Sequence, residues 1–204
     1  MQRGSARTKL IAAVVIAAAL LAAWLWDGAA HRVPAPAVGQ DQYLTDPVPA
    51  GRPRPVEPDA VAAPGAERRC SLAVRCDTLL ANLELLEPAK QGLVPADGVI
   101  LPPTETIFYE GESVFDLLRR ETRQAGIHLE FTHVPLYNSA YIEGINNLYE
   151  FDAGELSGWM YSVNGWFPNY GSSRYRLQPG DTVEWVYTCD LGDDVGGGTA
   201  VGGT

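Results

Sequence analysis

The side chains with chemical reach in this 204-residue chain are three histidines, three cysteines, 25 carboxylates and a cluster of aromatics towards the C-terminal end. Their spacing argues against catalysis. His31 stands alone in a proline-rich stretch, and His128 and His133 are five apart in a segment that reads as a strand, so they point to opposite faces. No Cys/His spacing fits a zinc site. The acidic groups Glu110/Glu112, Glu143, Glu150/Asp152/Glu155 and Asp190/Asp193/Asp194 lack the ligand order of a calcium loop and read as solvated surface. Ser157 lies in Glu-Leu-Ser-Gly, which is not a nucleophile elbow, and no histidine is placed as its base. The sequence therefore predicts no enzyme, no catalytic residue and no metal site.

The constellation that remains is aromatic. In Trp159-Met-Tyr-Ser-Val-Asn-Gly-Trp-Phe-Pro168, Asn164-Gly165 supplies the positive φ angles of a tight type I′ turn and predicts a hairpin. Val163 would then pair with Trp166, Tyr161 with Pro168 and Trp159 with Tyr170, all on one face. Trp159, Tyr161, Trp166 and Tyr170 are accordingly the candidate ligand-binding residues, an exposed platform for a flat or sugar-like ligand. The alternative is that this stripe packs beneath a helix, with Met160 and Phe167 outside. Pro168 confines the second strand to an edge or its end, which favours accessibility.

The elements that must position this hairpin follow from periodicity. Leu72 and Val74 alternate with polar or small neighbours between Cys70 and Cys76, a strand pattern, and Thr78–Leu86 suits a helical turn or two. Val99–Leu101 and Thr106–Tyr109 read as separate extended pieces on either side of Pro102-Pro103. Ser113 with Asp116 three residues on is a capping-box pattern, and Gly126 marks a helix end, predicting a helix over 114–125. Ile127–Val134 reads as a strand, Tyr141–Phe151 as extended with a turn at Asn146-Asn147, and Arg174–Leu177 and Thr182–Cys189 as strands. The sum is an α+β domain.

Both ends differ in composition. Leu10–Trp26 is 17 residues without a charge, preceded by Arg3, Arg7 and Lys9. It reads as a single-pass membrane anchor with its C-terminal side extracytoplasmic. A cleaved signal peptide ending near Gly28-Ala29-Ala30, and hence secretion, is the alternative. The expected organisation is a tail and anchor over 1–30, a linker over 31–69, a folded domain over 70–191 and a disordered tail over 192–204. The linker holds eight prolines, and six glycines fall within Leu191–Thr204. Past the apolar segment stand 12 basic against 25 acidic residues, a balance that repels nucleic acid.

Tyr109-Glu-Gly-Glu-Ser-Val-Phe-Asp-Leu-Leu118, Ser157-Gly-Trp-Met-Tyr-Ser-Val-Asn-Gly165 and Gly180-Asp-Thr-Val-Glu-Trp-Val-Tyr187 together resemble a bacterial surface-domain family related to the C-terminal β-domain of transcobalamin and intrinsic factor. The resemblance covers about residues 70–191 and implies a β-grasp-like fold, one main helix on a mixed sheet. In the cobalamin carriers this domain closes one face of the corrin while a helical domain, absent here, holds the other. Cobalamin is thus a ligand by resemblance only. The expected function is an extracytoplasmic, membrane-tethered module for a corrinoid or other small molecule; the alternative is an envelope interaction domain with no small-molecule ligand. In a β-grasp-like sheet the first and last strands are parallel and adjacent, which would bring Cys76 to Cys189 as a disulfide. Cys70 and Cys76, about 20 Å apart along one strand, would not pair. That no disulfide forms is the alternative.

Overall fold

The structure is a computed structural model that describes residues 47–58 and 65–198, all within one compact unit. The Leu10–Trp26 segment, His31 and the remaining parts of the linker and tail lie outside the described residues. Among those described, no helix is long and apolar enough to cross a membrane.

Among the described residues, seven strands form two sheets around one main helix, an α+β architecture. The first sheet has the order β2-β1-β7-β6, built from β1 (Glu67–Arg75), β2 (Val99–Tyr109), β6 (Gly158–Val163) and β7 (Thr182–Thr188). β1 runs parallel to β7 and antiparallel to β2, while β6 and β7 are antiparallel, so the sheet is mixed. The single-sheet expectation needs correcting, because β3 (Leu129–Val134), β4 (Ser139–Ile145) and β5 (Leu148–Tyr149) make a second, antiparallel sheet. The break comes at Asn146-Asn147, both at positive φ, which fold β5 straight back onto β4 rather than onward to the first sheet.

Pro102-Pro103 does not divide β2. The strand lies at the sheet edge, where a missing N–H leaves no inner neighbour unpaired, and register shifts opposite Leu72–Arg75 absorb the irregularity. The main helix α1 spans Val114–Ala125, as its signals predict. Asp116 N–H donates to Ser113 Oγ (3.1 Å) and Ser113 N–H donates to Asp116 Oδ2 (3.0 Å), closing the capping box. Gly126 ends the helix at φ 68°, a left-handed conformation that side chains other than glycine adopt at a cost.

Val114, Leu117 and Leu118 of α1 bury against Leu72, Val74, Phe108, Val163, Val183 and Trp185. A smaller cluster of Cys76, Leu79, Leu86, Leu148, Ala153 and Tyr187 seals the far end of the first sheet. Arg174–Leu177 is no strand: Ser172–Arg174 forms a 3-10 turn, and only Arg176 bridges, to Ser113.

Two segments expected to be loose are packed. Residues 47–58 of the proline-rich stretch lie against the domain, with Val48 on the main core. Residues 192–198 of the glycine-rich end fold against Met160 and Phe167, where a Cβ on Gly197 would meet the Phe167 ring at 2.8 Å and Met160 at 3.0 Å. Glycine permits that approach.

The proposed Cys76–Cys189 disulfide is not formed: Cys70, Cys76 and Cys189 are all free thiols. The parallel register sets Arg75 beside Val186, so Cys76 comes level with Tyr187 and Cys189 runs two residues past it. Both cysteines border one cluster, but Cys76 is enclosed within it while Asp194 Oδ2 accepts the Cys189 N–H. Burial pushes the thiols of Cys70 and Cys76 up to about 12.

Candidate functional site: an apolar cleft beside β6

The Asn164-Gly165 turn forms with both residues at positive φ, and Val163 and Trp166 exchange two backbone hydrogen bonds (2.8 and 3.0 Å). There the hairpin stops. Pro168 has no N–H to continue a ladder, and β6 pairs on its other side with β7. The expected pairs Tyr161 with Pro168 and Trp159 with Tyr170 therefore do not exist, and the four aromatics do not share an open face. Tyr161 and Tyr170 keep 8% and 7% of their surface, buried with the core under α1. Tyr161 packs in the core beneath α1, as the alternative has it, whereas Met160 and Phe167 are half-buried rather than outside.

The release of residues 166–171 from the sheet creates a cleft of about 290 Å³ between this loop, β6 and β4. Trp159, Met160, Tyr161 and Tyr170 line one side and Tyr137 and Tyr141 the other. Three of the four candidate residues thus meet at one cavity, although as walls rather than as a platform. Trp166 does not line it; its ring packs on Tyr170 and Tyr175, at 6.1 and 6.5 Å, beneath the Arg52 guanidinium at 5.2 Å.

The cleft presents rings and few free polar groups. Trp159 Nε1 donates to Leu148 O (2.8 Å), and Tyr161 Oη donates to Tyr170 O (2.8 Å). Tyr170 Oη donates to Pro53 O (2.8 Å), and Tyr141 Oη donates to Glu150. Burial raises the pKa of Tyr161 and Tyr170, and burial followed by the Glu150 bond raises that of Tyr141, so all three stay neutral. The cavity suits an apolar or aromatic group and provides no acid–base pair.

Tyr137 and Tyr141 were missed in the sequence because they reach the cleft only through the pairing of β4 with β3, which no local period reveals. Among the described residues no three His, Cys, Asp or Glu side chains converge as metal ligands. His128 lies beside Glu130 and Tyr149, and His133 lines a different cavity.

These features define a small α+β domain with a cleft walled by aromatics. Residues 111–189 match the family described as a domain of unknown function (DUF4430). No curated protein matches the chain. Among solved structures, haptocorrin in complex with Cbi is similar over 62% of this chain at 12% identity and a TM-score of 0.46, the match spanning only 26% of the haptocorrin chain. A candidate metal binding protein from Ruminococcus gnavus is similar over 59% of this chain and 96% of its own, at 14% identity and a TM-score of 0.34.

Proposed function

We propose that the protein is an extracytoplasmic, membrane-tethered ligand-binding module with a β-grasp-like domain, and that the cleft between β4 and β6 holds its ligand. The observation that carries this reading is the convergence of Trp159, Tyr161 and Tyr170 with Tyr137 and Tyr141 on one apolar cavity. Tethering and export rest on the Leu10–Trp26 segment and the basic residues before it. The β-grasp-like assignment draws support from the adjacent parallel β1 and β7 at the centre of the first sheet.

The cleft's volume, about 290 Å³, stands at the lower end of small-molecule sites. It accepts a compact apolar ligand whole and a corrinoid only by one edge. A corrinoid would therefore leave most of its surface to a second protein, in keeping with the resemblance to one half of a two-domain carrier.

The test is calorimetric titration of the full-length protein in detergent with cobalamin, with cobinamide and with a panel of small aromatic compounds. Saturable heat with a corrinoid at micromolar concentrations, reduced in Tyr141→Ala, supports the corrinoid form. Binding confined to small aromatics narrows the ligand to that class, and no saturable heat from any of them refutes the cleft as the site.

A further inference from the structure

The proline-rich segment before β1 behaves towards the domain as a bound peptide does. Pro53 and Pro55 preset an extended backbone, and Pro58 opens a 3-10 turn. Three kinds of contact then hold it. Tyr170 Oη donates to Pro53 O (2.8 Å) and Val56 N–H donates to Arg174 O (2.9 Å), which are sequence-independent backbone bonds. The third contact is the specific one. The Glu57 carboxylate enters the domain, where Arg174 Nη2 donates to its Oε1 (2.9 Å) and Asn138 Nδ2 donates to its Oε2 (2.6 Å). Arg176 Nη2 adds a bond to Glu57 O (3.4 Å).

Arg174 keeps 1% of its side-chain surface, against 33% for Glu57. A guanidinium this enclosed needs a carboxylate, because an unpaired buried charge is strongly unfavourable. A chain so rich in acid nonetheless concentrates Arg174 and Arg176 in this groove. Beyond Pro58 the groove adjoins a cavity of about 390 Å³ lined by Phe115, Phe131, His133 and Arg176 among others. Backbone hydrogen bonds, a preset extended ligand and one buried charge pair are the elements of proline-rich and acidic peptide recognition.

We propose that Tyr170, Arg174, Asn138 and Arg176 form a peptide-binding site for an extended, proline-flanked segment carrying a glutamate, which residues 53–58 fill in cis. The partner is a protein bearing such a segment, and it gains the site by displacing residues 53–58. This site is separate from the aromatic cleft, although Tyr170 borders both.

The test uses the full-length protein and the synthetic peptide Pro-Arg-Pro-Val-Glu-Pro, with a control peptide carrying glutamine for glutamate. A cis segment acts at an effective concentration of about millimolar, so the wild type should take the free peptide at least about tenfold more weakly than Glu57→Ala does. The variant should also prefer the glutamate peptide to the glutamine peptide by at least about tenfold, the direction a charge-assisted contact requires. A folded Glu57→Ala that shows no saturable binding, or binds both peptides equally, overturns the proposal. So does a variant that pairs with the wild-type chain in sedimentation without taking free peptide, since the occupant would then be a second copy. Should Glu57→Ala fail to fold, a protease site placed within residues 59–64 allows the native protein to be cut after folding. The released N-terminal fragment should then exchange with excess glutamate peptide, and failure to exchange overturns the proposal equally.

Discussion

At the scale of single residues, the cleft separates structural aromatics from those available to a ligand. Tyr161 is part of the core, its ring tilted against Trp185 at 5.5 Å and edge-on to Tyr175 at 6.4 Å, and its hydroxyl is held by Tyr170 O. Tyr141 faces the same cavity with 46% of its surface exposed. Tyr161→Ala should therefore cost about 3–5 kcal/mol of stability by leaving a large void. Tyr141→Ala, which loses a half-exposed ring and one hydrogen bond to Glu150, should cost no more than about 1 kcal/mol, and should still weaken a cleft-bound ligand. Urea denaturation of both variants, set beside the titration of Tyr141→Ala, checks the pair. Equal destabilisation would contradict this division.

At the scale of elements, the legible parts are those whose signals are local. Helix α1 begins and ends where Ser113, Asp116 and Gly126 place it, because capping satisfies backbone groups within a few residues. Ser113→Ala should lower stability by about 1 kcal/mol, read as a shift of the urea midpoint at constant slope. An unchanged midpoint would show that packing of Leu117 and Leu118 alone holds the helix start. The hairpin at Asn164-Gly165 shows the opposite case. Its turn chemistry is right, yet the strand beyond it fails, since Pro168 has no N–H to carry the ladder along the outer edge of β6. Residues 47–58 teach the same lesson. Their composition reads as a linker, while Glu57 and Val56 find their partners in Arg174, 117 positions away from Glu57.

At the scale of the whole molecule, stability should fall on the alkaline side. Cys70 and Cys76 have an ordinary pKa of 9.0 and are pushed up to about 12 by burial, which favours the neutral thiol in the folded state. Burial pushes Tyr175 and Tyr187 from 10.0 to about 12 in the same direction. For each group the stabilisation is complete below its ordinary pKa and is lost as pH rises towards 12, where the unfolded chain has already released the proton. The urea midpoint should accordingly hold at about pH 8 and drop by about pH 10.5. Native protein at the lower pH should be alkylated at Cys189 first, with Cys70 and Cys76 reacting only on unfolding; rapid labelling of Cys76 would contradict its enclosure. By itself, the sequence determined what short-range chemistry specifies: the α+β class, the main helix and its caps, the tight turns and the acidic balance of the chain. Tertiary structure alone decided the division into two sheets, the fate of the aromatic stripe, the free thiols and the docking of residues 47–58. Those outcomes depend on which distant strand edge, buried arginine or apolar face is left to be satisfied, and such a demand exists only once the core has formed.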